Sequence, residues 1–437
     1  MFQKILIANR GEIALRVIRA CCELGVATVA VYSSADESSL HVAYADEAVC
    51  VGPPPAAQSY LVMQNLIMAA VTHGADAIHP GYGFLAESAA FSRLCADNDL
   101  TFIGPGPESI ELMGDKAMAR ATMTAAGVPV TPGSSGVVAD AAAAAEVARA
   151  VGLPVMVKAS AGGGAEAQAA FGDGAVYVEK YIPKPRHVEI QILSDGEGHA
   201  IHLGERDCSI QRRHQKLIEE APSPAVSLEL RDRMGEAAVE AARAARYKGA
   251  GTVEFLLDPA GHFYFMEMNT RVQVEHCVTE MVTGIDIVKT GIRIAAGEGL
   301  ALRQSDVTIA GHAIEFRINA EDPERDFLPS PGTVTGWSPP GGPWVRFDSH
   351  VYPGYTVPPF YDSLLGKLVI WGRDRDEALA RARWALAQFR VEGVATTIPF
   401  HLRVLEHPLF RAGTVTTHFI DEDLEPSAPR VEPSPAG

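Results

Sequence analysis

The chain has 437 residues, 47% of them hydrophobic, enough to bury several cores, and chain-length statistics favour roughly two to four domains. Lys and Arg number 37 against 54 Asp and Glu, a formal net charge of −17. That balance excludes nucleic acid or an anionic membrane as the main partner, so an anionic substrate needs a locally basic cleft. Residues 5–8 are the only apolar run before Arg10 and Glu12, too short for a signal-peptide core, and no stretch is long and apolar enough to span a bilayer. Cys21, Cys22, Cys50, Cys95, Cys208 and Cys277 show no paired spacing, so reduced core thiols in the cytoplasm are expected.

The opening predicts a βαβ unit: a strand over residues 5–8, a turn at Asn9-Arg10-Gly11, a helix over 12–24 stopped by Gly25, and a strand over 27–32. Doubly wound α/β is the class this implies. Ile13, Val17, Cys21 and Leu24 recur at core spacing, leaving Arg16, Arg19 and Glu23 on a face whose ordinary fate is solvation. Gly-Pro clusters at 104–107 and 129–136 mark loops and a boundary near residue 130; a helix over 140–151 and a strand over 153–158 follow. Lys158 ends that strand just before Ser160-Ala161-Gly162-Gly163-Gly164, where glycines let backbone N–H groups approach phosphate oxygens and the lysine adds charge. The Gly-Lys-Ser/Thr order of a Walker loop is absent, as is a G-x-G-x-x-G after the first strand, which argues against a dinucleotide-dependent dehydrogenase. The run from Arg206 to Lys216 is unusually basic for this chain; such runs are generally solvated, and its chemical use would be to neutralise phosphate or bicarbonate.

Residues 252–257 and 262–268 flank the turn Asp258-Pro259-Ala260-Gly261, a hairpin signal. If Leu257 pairs with His262, Glu254 lies opposite Phe265, and Glu254, Glu267 and Asn269 share a face with it. Two carboxylates at diagonal positions, roughly 7–8 Å apart at the backbone, repel unless a cation lies between them. Hard oxygen ligands select Mg²⁺ or Mn²⁺. A lone Glu there would simply face solvent. Beyond Asn269, Arg271, Gln273 and Glu275 alternate; on an extended backbone they would set a guanidinium, an amide and a carboxylate side by side, able to hold a small oxyanion and accept its proton. The plain alternative is a surface ion-pair strip. Residues 309–318 alternate as a strand with Glu315 and Arg317 on its polar side, and residues 425–437, with four prolines, read as a disordered tail or linker.

Ile7-Ala8-Asn9-Arg10-Gly11-Glu12-Ile13-Ala14, His79-Pro80-Gly81-Tyr82-Gly83-Phe84-Leu85, Met113-Gly114-Asp115-Lys116, Arg186-His187-Val188-Glu189-Ile190-Gln191, the 206–216 run, Glu267-Met268-Asn269-Thr270-Arg271 and Arg317-Ile318-Asn319-Ala320-Glu321-Asp322 together closely resemble biotin carboxylase, an ATP-grasp enzyme, up to about residue 420. The resemblance implies an α/β ATP-grasp fold: a doubly wound pre-ATP-grasp domain over residues 1–114, an ATP-grasp region over 115–310 with a small lid at about 131–203, and an α+β C-terminal domain over 311–424. Matched by position, it implies ATP contacts from Lys116, Lys158, Gly163, Gly164, Glu179, Lys180, Tyr181, Ile182, His187, Gln211 and His214, with Glu254 and Glu267 on Mg²⁺ and Asn269 helping at a second ion. It implies bicarbonate contacts from Lys216, Arg271, Gln273, Val274 and Glu275, with Glu275 as the base, and biotin contacts from Arg317 and Tyr82. The implied activity is ATP-dependent carboxylation of biotin through carboxyphosphate, the first half-reaction of acetyl-CoA or a related acyl-CoA carboxylase in fatty acid synthesis. Expected partners are a biotin carboxyl carrier protein and carboxyltransferase subunits, since no Ala-Met-Lys-Met motif occurs, and a second copy of the chain, docked through Arg16, Arg19 and Glu23.

Two departures stand out. Where the family has a longer glycine run, Arg-Gly-Met, a strand and a helix, this sequence passes from Gly164 to Ala165-Glu166-Ala167-Gln168, and Cys277 stands where a proline is usual. The first leaves open a lid-defective, non-catalytic nucleotide-binding subunit; another ATP-grasp ligase is the remaining alternative. The retained adenine-binding pattern argues for a working enzyme.

Overall fold

In a computed structural model describing residues 1–134, 136–159 and 176–424, the chain opens with β1 (Lys4–Ile7), β2 (Ala27–Ser33), β3 (Glu47–Gly52), β4 (Ala77–His79) and β5 (Thr101–Phe102). They form one parallel sheet in the order β3-β2-β1-β4-β5, the doubly wound unit expected. Chain order reverses between β1 and β4, so the loops leaving their carboxyl ends, residues 8–10 and 80–84, border the crevice where such sheets bind ligands. Asn9 Nδ2 donates to the carbonyls of Pro80 and Tyr82, both at 2.7 Å. Gly81 permits this: its φ is +65°, and a Cβ there would meet Asn9 Nδ2 at 2.9 Å.

Helix α1 (Gly11–Leu24) buries Ile13, Val17 and Cys21 and ends at Gly25, left-handed at φ 70°, as its spacing predicts. Arg16 is a correction. It is buried rather than solvated, because Glu280 (2.8 Å) and Asp286 (2.7 Å), far along the chain, take its guanidinium. All six cysteines are free; Cys21, Cys95, Cys208 and Cys277 are core thiols, but Cys22 and Cys50 are exposed.

The second sheet carries the chemistry. It has eight antiparallel strands: β8 (Arg186–Asp195), β9 (Ala200–Arg212), β10 (Gln215–Ala221), β11 (Lys248–Leu257), β12 (Phe263–Asn269), β13 (His312–Asn319) and the strands Val345–Ser349 and Leu364–Gly372. The order runs β12-β11-β8-β9-β10-β13, then Leu364–Gly372 and Val345–Ser349. One sheet therefore spans both the ATP-grasp region and the C-terminal part. A separate antiparallel pair, β6 (Val155–Ala159) and β7 (Val176–Lys180), follows the helix Ala141–Val151, which Asp140 caps through the Ala143 amide. Gly163, Gly164 and the segment 425–437 lie outside the described residues.

Candidate active site

The hairpin β11–β12 forms with a register that differs from expectation. The Asp258 carboxylate accepts the amides of Ala260 and His262, each at 2.9 Å, so the turn extends through His262 and Leu257 pairs with Phe263. A bulge at Met266 then sets Glu254 directly opposite Glu267, not Phe265. Phe265 pairs with Phe255 and packs in the apolar cluster with Phe263, so it leaves the carboxylate face. The two acids are closer than the diagonal arrangement required.

Glu254 is surrounded by donors. Its oxygens meet Lys216 Nζ (2.8 Å), Gln273 Nε2 (2.7 Å), Asn269 Nδ2 (3.0 Å) and His187 Nε2 (2.8 Å). Burial raises its proton affinity, but Lys216 and His187 hold the carboxyl well below its ordinary range. Glu267 has no hydrogen-bond or ion-pair partner among the described residues, and burial and then Glu254 push its pKa upward. A divalent cation would relieve that repulsion, and the all-oxygen set of Glu254, Glu267 and Asn269 fits Mg²⁺ or Mn²⁺.

Lys216 is the hub. Its ammonium reaches Glu189 (2.5 Å), Glu254 (2.8 Å) and Glu275 (2.7 Å), and these three carboxylates outweigh burial to raise its pKa well above the usual value. Glu275 also accepts from Arg317 Nη2 at 3.0 Å; burial works against its charge, yet Lys216 and Arg317 keep it firmly ionised. The segment Arg271 to Glu275 does not continue the strand as expected. It bends, Val272 enters the core, and Glu275 stands at the N-terminus of the helix His276–Thr283. Its polar side chains still converge: Arg271 donates to Asn269 Oδ1 (2.9 Å) and Glu87 (2.9 Å), and Gln273 bridges Glu254 and Arg206. Val274 offers its carbonyl to Lys367 Nζ at 2.9 Å. Lys367, fully buried, also pairs with Glu12, which accepts the Tyr82 hydroxyl.

Three residues given no role from sequence, Glu189, Glu87 and Glu219, belong to this network, as does Arg206, which the basic run offered to phosphate or bicarbonate but which is fully buried and committed to protein side chains. Glu189 is buried under Lys216, Arg206 feeds Glu189, Gln191, Thr252, Gln273 and Thr279, Glu87 holds Arg271, and Glu219 holds Arg317. Glu189 is within reach of periodicity, since His187, Glu189 and Gln191 alternate along β8.

The nucleotide-side residues are less concentrated. Lys158 and Arg120 both pair with the Glu179 carboxylate, at 2.7 and 2.6 Å, and Lys116 lies near Glu267. The Lys180 ammonium donates to the carbonyls of Gly152 and Leu153, and the amides of Lys180 and Tyr181 already donate to Pro132 and Pro154. Ile182 is buried behind them. Gln211 lies 3.5 Å from His187, whereas His214 occupies the exposed tip of the β9–β10 turn at φ 67°, outside the network.

The chain matches the family model described as carbamoyl-phosphate synthase L chain, ATP binding domain, in two segments, residues 115–166 and 164–303. By this match and by its relatives, the chain is an ATP-grasp ligase. Matches to the biotin carboxylase N-terminal domain over residues 1–110 and the biotin carboxylase C-terminal domain over 315–422 narrow the class. The chain is 58% identical to the biotin carboxylase of Nostoc sp., covering 96% of this chain and 99% of that one, and 53% identical to the biotin carboxylase of Pseudomonas aeruginosa, covering 97% and 99%. Among solved structures, the biotin carboxylase domain dimer of Hydrogenobacter thermophilus 2-oxoglutarate carboxylase, in complex with MgADP, ADP and bicarbonate, superposes with a TM-score of 0.91 at 48% identity, over 97% of this chain and 98% of that one. The chain belongs to the biotin carboxylase family, whose activity is ATP-dependent carboxylation of biotin.

Proposed function

We propose that this chain carboxylates biotin carried on a biotin carboxyl carrier protein, using ATP and bicarbonate, and so supplies the first half-reaction of an acetyl-CoA or related acyl-CoA carboxylase. The observation that carries this reading is the convergence of Lys216, Glu275, Arg317, Gln273 and Arg271 beside the Glu254–Glu267 pair. ATP would lie against Lys116, Lys158, His187, Gln211 and the chain from Glu179 to Ile182. Glu254, Glu267 and Asn269 would hold Mg²⁺, which when bound neutralises charge on the nucleotide phosphates.

Arg271, Gln273, Lys216 and the Val274 backbone orient bicarbonate, and Glu275 takes its proton. A bicarbonate oxygen then attacks the γ-phosphorus and the bond to ADP breaks, leaving carboxyphosphate. Carboxyphosphate divides into CO₂ and phosphate, the phosphate accepts the ureido proton of biotin, and the freed nitrogen attacks CO₂ while Arg317 faces the enolate oxygen, with Tyr82 beside it. Glu275 starts ionised, as a base must. Anionic substrates that draw on Lys216 and Arg317 loosen the hold of these cations on Glu275 and raise its proton affinity where it is needed.

A second copy of the chain and carboxyltransferase subunits are the further partners we infer, in the cytoplasm. No helix among the described residues is long and apolar enough to cross a membrane. Arg16 is committed within the chain, so dimer docking falls to Arg19, 55% exposed, and to the neighbouring surface. Arg19 pairs with Asp348 at 3.7 Å on the strand that begins at Val345, where Trp344 and Trp384 are both exposed. Sedimentation at micromolar protein should show dimer; monomer alone would remove that docking surface. The function is tested by ADP release that requires bicarbonate and yields carboxybiotin when free biotin is added. ATP cleavage indifferent to bicarbonate would overturn it. Carboxybiotin formation also separates the enzyme from a lid-defective subunit, which would bind ATP without turning it over.

A further inference from the structure

Behind the site lies a carboxyl group that the reaction as described does not use. Glu315 on β13 is fully buried, and neither of its oxygens has a hydrogen-bond partner among the described residues. Its direct cross-strand neighbour on β10 is Glu219, also fully buried, which gives one oxygen to Arg317 Nε at 2.6 Å and leaves the other without a partner. Directly opposed side chains of an antiparallel ladder have Cβ atoms about 4.5–5.5 Å apart, so the two carboxyl groups are neighbours. The other charged groups nearby are Arg317 on the same strand, Lys367 on Leu364–Gly372, Glu275, and Lys216 on β10 beside Glu219. Lys367 is already committed to Glu12 (3.1 Å) and the Val274 carbonyl (2.9 Å), and Glu275 to Lys216 and Arg317.

We propose that Glu315 is a neutral carboxylic acid that shares its proton with Glu219 and thereby positions Arg317 for carboxyl transfer; this rests on the reading of Arg317 as the residue facing the biotin enolate. A desolvated carboxylate with no donor is the costliest state open to Glu315, and a second carboxylate across the ladder makes it costlier. One proton between the two acids removes the repulsion and gives the unpartnered Glu219 oxygen a donor, while the other oxygen remains an anionic acceptor for Arg317. Burial raises the Glu315 pKa far more than Lys367 lowers it, and burial carries Glu219 to about 7 against the pull of Arg317. Glu315 is thus a positioning residue, acting on the reaction through Glu219 and Arg317.

The test uses the full chain and two readouts. Difference infrared spectra of wild type against Glu315→Gln at neutral pH should show the carbonyl band of a protonated carboxylic acid that the variant lacks. In kinetics, Glu315→Gln, a neutral isostere whose amide can donate to Glu219, should keep biotin carboxylation within about threefold of wild type, whereas Glu315→Ala should lose roughly tenfold or more. Absence of the band, or Glu315→Gln failing as badly as Glu315→Ala, overturns the proposal, because an anion matched to Lys367 tolerates neither change. If Glu315→Ala does not fold, the spectrum and Glu315→Gln decide. If wild type makes no carboxybiotin, the functional reading fails, while the infrared band still reports whether Glu315 holds a proton.

Discussion

The eight-stranded sheet and the separate pair β6–β7 hold their charged groups in different ways. In the sheet, Arg206, Glu189 and Lys367 are fully buried, and each is satisfied by side chains or carbonyls from several elements. In the pair and the helix before it, the Lys158 side chain remains 33% exposed, Leu153 and Val157 face outward, and the helix Ala141–Val151 buries no residue completely. Desolvating these three charges is tolerable because each is matched, so this part of the sheet is set in place before substrate arrives, whereas Glu267 and Glu315 have no partner among the described residues. This part of the chain has little packing of its own.

Removing one charge from each region gives the sharpest contrast. Arg206→Met should take the donor from Glu189 Oε1, Gln191 and Gln273, leaving Glu189 only Lys216, and cost about 3–5 kcal/mol, read as a fall in Tm or in denaturation midpoint; a loss below about 1 kcal/mol would mean the network is not cooperative. Next in size is Glu267→Gln, which leaves the fold intact because nothing among the described residues pairs with it, yet should cut Mg²⁺-dependent ATP turnover about 100-fold. Unchanged turnover at limiting Mg²⁺ would remove the metal assignment.

Acid should attack the eight-stranded sheet through Glu220 on β10 and the neighbouring helix His276–Thr283 through Glu280. Burial opposes ionisation of Glu220 and Glu280, but His312 and Arg375 hold the first at about 2, and Arg16 and Arg346 help hold the second at about 2, against an ordinary 4.5. A depressed carboxylate contributes stability that is full above about 4.5 and lost as pH falls towards 2. Equilibrium unfolding between these limits should lose a few kcal/mol, and substituting Arg375 should remove part of that dependence. The smallest effect belongs to the β6–β7 pair: Lys158→Met should change stability by no more than about 1 kcal/mol while weakening ATP binding.

What the sequence reveals follows the same division. Local signals suffice for α1 and its Gly25 stop, for the helix capped by Asp140, and for the hairpin carrying Glu254 and Glu267. Register fails at Met266 because a bulge leaves no mark in a two-residue period. Arg271 to Glu275 reads as extended because its polar alternation persists, although the Gln273 carbonyl turns back to accept from His276. Arg16 and Arg206 are illegible for a different reason. Their partners lie on elements brought together only by the folded topology, Glu280 being 264 residues from Arg16. Resemblance supplies the site residues, but not why Lys216 needs three carboxylates or why Arg317 needs Glu219.

The central claim is that this network deprotonates and orients bicarbonate, and ADP release at saturating ATP and Mg²⁺, with and without free biotin, tests it most directly in Glu275→Gln and Arg271→Ala. Glu275→Gln keeps the shape and loses the base, so bicarbonate-dependent ATP cleavage should fall by ~10²–10⁴ while ATP still binds. In Arg271→Ala, biotin carboxylation should suffer at least as much as ATP cleavage. A strip of ordinary ion pairs, worth roughly 0–1 kcal/mol each, would leave both rates nearly unchanged, and near-wild-type bicarbonate-dependent cleavage in Glu275→Gln would contradict the account.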